Sequence, residues 1–260
     1  MQMAFIVGPA AAGWLYAFSN RATTVLYVVA AMRLASVVLV YVIRNKTEHL
    51  DPSLMNWKTL LAGIRFVWEK KIILGTISLD LFAVLLGGAV ALLPVYANDI
   101  LKVGASGLGM LRAAPALGAA IMAVSMAYLP PLRRAGATML ACVAVFGTAT
   151  VLFAISKNFY FSLFCLFVLG SSDMVSVVIR GVLVQIKTPH EMRGRVSAVN
   201  LIFIGASNEL GEFESGLTAS LFGTVPAVVI GGLGTLTVVA LWNWFFPEIR
   251  RFKRLEEAFF

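Results

Sequence analysis

A chain of 260 residues in which 60% are hydrophobic and 13% charged cannot cover its apolar surface in water, where domains carry about 25% charged residues. The mean hydropathy of +0.88 excludes an ordinary soluble domain and makes the lipid bilayer the solvent. The net charge of +8 would suit nucleic acid only if Lys and Arg interleaved with polar and aromatic positions on an exposed face. They cluster instead in short gaps between apolar runs, as in cytoplasmic loops of membrane proteins, so no nucleic-acid partner is expected.

Eight stretches are long enough to cross as helices, at about residues 3–19, 22–44, 72–97, 105–129, 136–156, 159–184, 196–222 and 224–246 (spans A to H). Span A is not a cleavable signal: it lacks a charged start, and Gly8-Pro9 interrupts its apolar run. Span B carries Arg33 at mid-span, where an unpaired guanidinium is untenable. Between B and C, residues 45–71 start polar and become amphipathic. Leu60, Leu61, Ile64, Val67 and Trp68 share one face, with Lys58, Arg65, Glu69 and Lys70 off it, as in a helix resting on a membrane surface. This gap is the candidate domain boundary and divides the spans two plus six. Most connections are short: Asn20-Arg21, Lys157-Asn158 and Gly223 allow only tight turns, which makes neighbouring helices antiparallel. If 45–71 is cytoplasmic, fifteen basic residues lie on that side and three on the other, which places both termini in the cytoplasm.

Ionisable groups inside spans cost about 2.5–3.5 kcal/mol each at a helix centre, so each needs a partner or a function. Span C holds Asp80 and span D Arg112; opposite charges on consecutive antiparallel helices invite a pair, although their depths differ by roughly 8 Å. Span F holds Asp173 and Arg180 on one face. Arg180, near the cytoplasmic end, is expected to snorkel, and Asp173 is the better functional candidate. Span G carries Glu209, Glu212 and Glu214. At 100° per residue Glu209 and Glu212 share a face and Glu214 points elsewhere. Lipid-facing carboxylates are excluded on energy, so these line a watery cavity, pair with cations or carry protons. Proton coupling or binding of a cationic substrate is the functional reading of that set.

After span F, Thr188-Pro189-His190-Glu191 reads as a helix start, with Thr188 as N-cap, Pro189 in the first turn and Glu191 closing a capping box. Neither His49 nor His190 has the spacing of a zinc site, and Cys142 and Cys165 lie inside apolar runs as packing residues, so no metal is expected. No phosphate-binding, dinucleotide or nucleophile-elbow fingerprint is present, so no cofactor, enzymatic reaction or ATP drive is expected on this chain. The 22 glycines, with Pro94, Pro115 and Pro226, supply the close approaches and breaks that rocking bundles use.

Several stretches resemble the major facilitator superfamily. Gly8-Pro9-Ala10-Ala11-Ala12-Gly13 is similar to the end of the antiporter motif on that family's fifth helix, with Ala12 in place of a glycine. Gln185-Ile186-Lys187-Thr188-Pro189-His190-Glu191-Met192-Arg193-Gly194-Arg195-Val196 resembles its segment between the tenth and eleventh helices. Gly107-Leu108-Gly109-Met110-Leu111-Arg112-Ala113-Ala114-Pro115 looks like its eighth helix. Their order points to the branch of enterobactin-exporter-like and other secretion-type members. The resemblance implies an all-α polytopic membrane protein. Residues 1–44 match the last two helices of an N-terminal half, 45–71 a cytoplasmic central loop, 72–246 a six-helix bundle and 247–260 a cytoplasmic tail. The family's first four helices have no counterpart here.

The resemblance further implies gating roles for Gly8, Pro9, Gly13, Thr188, Pro189, Arg193, Gly194 and Arg195. It implies a proton-coupled exporter of a small drug- or siderophore-like molecule in the inner (plasma) membrane. Its partners would be the lipid bilayer, the small-molecule substrate and protons. Substrate and proton candidates are Asp80, Arg112, Asp173, Glu209, Glu212 and Glu214. The competing reading is a non-transporting membrane scaffold or an inactive truncated fragment. Spans C–D–E and F–G–H are expected to form two three-helix repeats of opposite topology, because three is odd and F re-enters from the side opposite to C.

Overall fold

The computed structural model describes residues 22–42, 57–128 and 134–252, together with Ala11, Ala12, Leu15, Phe18 and Ser19. Gly8, Pro9 and Gly13, the polar half of the 45–71 gap and the tail from 253 on lie outside the described residues. Every regular element among the described residues is helical: α1 (Ala22–Val42), α2 (Trp57–Glu69), α3 (Lys71–Leu86), α4 (Gly104–Tyr128), α5 (Ala135–Ile155), α6 (Phe159–Lys187), α7 (His190–Phe222), α8 (Thr224–Phe245) and the short α9 (Pro247–Arg251). Among the described residues, six helical stretches are long and apolar enough to cross a membrane: Thr23–Tyr41, Lys71–Ile100, Gly104–Tyr128, Ala135–Ile155, Phe159–Lys187 and Thr224–Phe245. The protein is an all-α polytopic membrane protein. α7 is the longest helix among the described residues, but Glu209, Glu212 and Glu214 make it less apolar than those six.

Chain chemistry explains where the helices break. α3 stops at Gly87-Gly88; a 3-10 turn (Ala89–Leu92), one α-turn holding Pro94 and a π turn (Tyr96–Ile100) carry the span onward. Tyr96 anchors this irregular piece. It is fully buried, its hydroxyl donates to the Ala154 carbonyl at 3.0 Å, and its ring lies 4.6 Å from Phe153. Tyr96→Phe removes one bond and leaves the packing, so chemical denaturation in detergent should show a loss of about 1 kcal/mol. At α6 the Asn158 side chain caps the first turn, accepting from the Phe161 backbone at 3.1 Å. Gly223, at φ 91°, is the single residue that turns α7 into α8.

The stretch between spans F and G is almost entirely helical, and not a loop. α6 runs to Lys187 and α7 begins at His190, so only Thr188 and Pro189 intervene. Pro189, extended at φ −56°, ψ 149°, takes the cap position in place of Thr188. With only two extended residues to bridge two helices, the Thr188 side chain is carried inward: it is buried, and its hydroxyl has no hydrogen-bond partner. No capping box forms.

Packing follows an exchange of partners between two sets of three consecutive helices, α3–α4–α5 and α6–α7–α8, which correspond to the two expected repeats. The first helix of each repeat packs on the second and third helices of the other: α6 on α4 and α5, α3 on α7 and α8. The third helices, α5 and α8, pack on each other. Small residues set both kinds of crossing. Where α4 meets α6, a Cβ at Gly170 would overlap the Pro115 backbone, and one at Gly118 the Phe167 carbonyl. At the related crossing of α3 and α7, a Cβ at Gly211 would lie 2.9 Å from the Leu85 oxygen. Gly170→Ala therefore forces α4 and α6 apart; a loss of roughly 1–3 kcal/mol in denaturation is expected, and an unchanged midpoint would contradict the crossing. α1 stands apart from this bundle and buries none of its span.

The candidate transport site

The exchange of partners decides which charges meet. Consecutive helices α3 and α4 are not close packing partners, so Asp80 does not pair with Arg112 as their order in the chain suggested. Arg112 is exposed on α4. Asp80 instead receives a hydrogen-bonded ion pair from Arg180 on α6, with both residues buried, at 6% and 4% exposure. The expected snorkelling of Arg180 is overturned with it. The cause is geometric: α3 and α6 are the first helices of the two repeats. Asp80 lies about 14 Å from the start of α3 and Arg180 about 10 Å from the end of α6, and those two ends are on one side of the bundle. Matched depth on the two leading helices was the sequence signal for this pair; adjacency in the chain was the wrong guide.

Asp173 occupies the midpoint of α6, about 21 Å from either end. It is half-buried, and its carboxylate has neither hydrogen bond nor ion pair with the described residues. Together with Asp80 it lines a narrow crevice whose other walls include Ser176, Phe146 and Val143, with room on the order of one water molecule. Both carboxylates line it, and the Arg180 guanidinium is bonded to that of Asp80. The cluster is one positive charge short of balance, which a proton or a cationic group would supply.

The second acidic group lies on α7. Ser207, Gly211 and Ser215 are buried on the side toward α3, and the opposite side is exposed. That exposed side has two chemistries. Asn208, Glu209, Glu212, Gly205 and Gly216 occupy one arc of about 100°, and Ile202, Ala206, Leu210, Phe213 and Leu217 the next. The apolar arc suits lipid; the polar arc does not. Glu209 lies about 20 Å from the Phe222 end of α7, level with Asp173. Glu214 turns away, half-buried, and accepts a hydrogen bond from the Thr218 hydroxyl at 2.8 Å.

Of the loop-motif residues, Arg193 donates to the Thr188 carbonyl at 3.3 Å and lies 3.3 Å from the His190 ring. Gly194 faces open space, and Arg195 contacts the Met192 sulfur. Arg33 is exposed at the centre of α1. Ser176, Phe146 and Val143 joined the site only through folding, because no charge or motif marks them in the sequence.

Comparison with known proteins places this architecture. The family model for the Major Facilitator Superfamily matches residues 1–212. The chain is 27% identical over 197 residues to the enterobactin exporter EntS of Escherichia coli O81 (strain ED1a). It is equally similar to the proteins of that name from Shigella boydii serotype 18 and Escherichia fergusonii. The alignments cover 76% of this chain and 47% of each relative, so the chain spans about half the length of the curated relatives it matches.

Proposed function

The chain belongs to the Major Facilitator Superfamily, and from that premise we propose that it works as a secondary-active exporter exchanging protons for a small organic molecule of siderophore- or drug-like kind. The observation that carries the reading is Asp173: a carboxylate with no ion pair among the described residues, half-buried at the midpoint of a transmembrane helix, sharing a crevice with Asp80, the acid that Arg180 holds. A carboxylate in that setting binds and releases a proton as its surroundings change, which is the event a proton-driven exchanger needs. The polar arc of α7 at the same depth, with Glu209 and Glu212, lines the water-accessible side of the same pathway. The chain sits in the inner membrane with both termini in the cytoplasm, a placement supported by the fifteen-to-three distribution of basic residues.

The relatives are named enterobactin exporters, so enterobactin is the first probe. The full chain, reconstituted into proteoliposomes with an acidic lumen, should accumulate enterobactin. Collapsing the pH gradient should stop it. Accumulation that ignores the gradient would overturn proton coupling, and none at all would leave the chain a membrane scaffold.

A further inference from the structure

We propose that α2 and the elbow joining it to α3 form a binding surface for anionic phospholipid headgroups, and that this contact positions the start of α7. The wheel of α2 has three zones. Gly63 and Val67 are buried against the bundle. Leu61, Ile64 and Trp68 come next, within about 60° of each other and 59%, 37% and 70% exposed. Arg65 and Glu69 follow, exposed and paired at 2.8 Å. That order, from protein through apolar side chains to charge, is the order met by a helix lying along the boundary of a bilayer, with Trp68 as its interfacial anchor.

Charge selects the lipid. Residues 57–71 carry Lys58, Arg65, Lys70 and Lys71 against the single acid Glu69, and Glu69 is already held by Arg65. Lys70 is extended at φ −98°, ψ 91° between the two helices, and both Lys70 and Lys71 are exposed. The neighbouring start of α7 adds Arg193 and Arg195 against Glu191. The net positive field at this elbow attracts phosphate-bearing anionic headgroups, each basic residue near such a surface contributing about fivefold to partition.

The inner face of α2 makes the contact consequential. A Cβ at Gly63 would stand 3.1 Å from the Arg195 carbonyl, so α2 rides directly on the α7 backbone. Val67 is 3% exposed within a cluster formed with Ile73, Val196 and Val199. α7 then continues unbroken to Glu209 and Glu212. Whatever holds α2 to the leaflet therefore holds the foot of the helix that carries the polar arc.

The test places the full chain in phosphatidylcholine vesicles and in vesicles of phosphatidylcholine and phosphatidylglycerol in equal parts. Hydrogen exchange is followed over residues 190–200, and brominated lipid tails quench the Trp68 fluorescence, taken as the difference from Trp68→Phe. Anionic lipid should deepen Trp68 quenching and slow exchange at the start of α7. Lys70→Gln with Lys71→Gln should weaken that protection roughly 25-fold. Arg250→Gln with Arg251→Gln, an equal charge loss elsewhere on the same side, should leave it unchanged. Gly63→Leu should keep Trp68 quenched while releasing α7. Identical exchange in both vesicles, or an anionic-lipid effect that survives the double glutamine variant at the elbow, would overturn the proposal.

Discussion

Arg180→Ala is expected to destabilise the protein by about 3–5 kcal/mol, because it leaves the Asp80 carboxylate buried without its counter-charge. Asp80→Ala should cost a similar amount for the mirror reason. The informative variant is the pair Asp80→Asn with Arg180→Gln. Asn keeps the shape of Asp, and Gln, although two heavy atoms smaller than Arg, leaves no unpaired charge buried, so the double variant should recover most of what either single loss costs. Unfolding by denaturant in a fixed detergent, followed by tryptophan fluorescence, gives the three midpoints. Additive single losses would mean that the two residues do not interact in the folded protein, and a harmless Arg180→Ala would return Arg180 to the snorkelling position its sequence context suggested.

That pair marks where the sequence stops being legible. Composition and apolar run length were enough for the fold class, because the bilayer leaves helices as the structure that satisfies the backbone within one segment. The antiparallel connections followed from turns as short as Gly223. Partner choice did not follow. Asp80 and Arg112 are closer in sequence than Asp80 and Arg180, yet α6, not α4, meets α3 at the charged site. The reason is that each leading helix is completed by the opposite repeat, a relation between residues 100 apart that no local pattern encodes. The same limit explains Thr188. Its residue type favours a cap, but two extended residues between α6 and α7 turn the hydroxyl into the core. Within α7, by contrast, periodicity separates Glu209 and Glu212 from Glu214, because angular position on a single helix is a local property.

Asp173→Asn is expected to abolish enterobactin accumulation driven by a pH gradient while leaving folding intact. The asparagine keeps the side-chain shape and removes the charge, so the crevice shared with Asp80 and Ser176 is preserved and only proton exchange is lost. The decisive comparison is counterflow, in which external labelled substrate exchanges for internal unlabelled substrate without net proton movement. Asp173→Asn should retain counterflow and lose gradient-driven accumulation. Glu209→Gln and Glu212→Gln, on the exposed polar arc of α7, should impair gradient-driven accumulation as well, and Glu214→Gln should instead weaken local packing by removing the acceptor of the Thr218 hydroxyl. If Asp173→Asn transports normally while either α7 variant is dead, the proton is carried on α7 and the α6 crevice is structural. If all three accumulate substrate normally under the pH gradient, none of these carboxylates couples protons, and the coupling group lies elsewhere in the pathway.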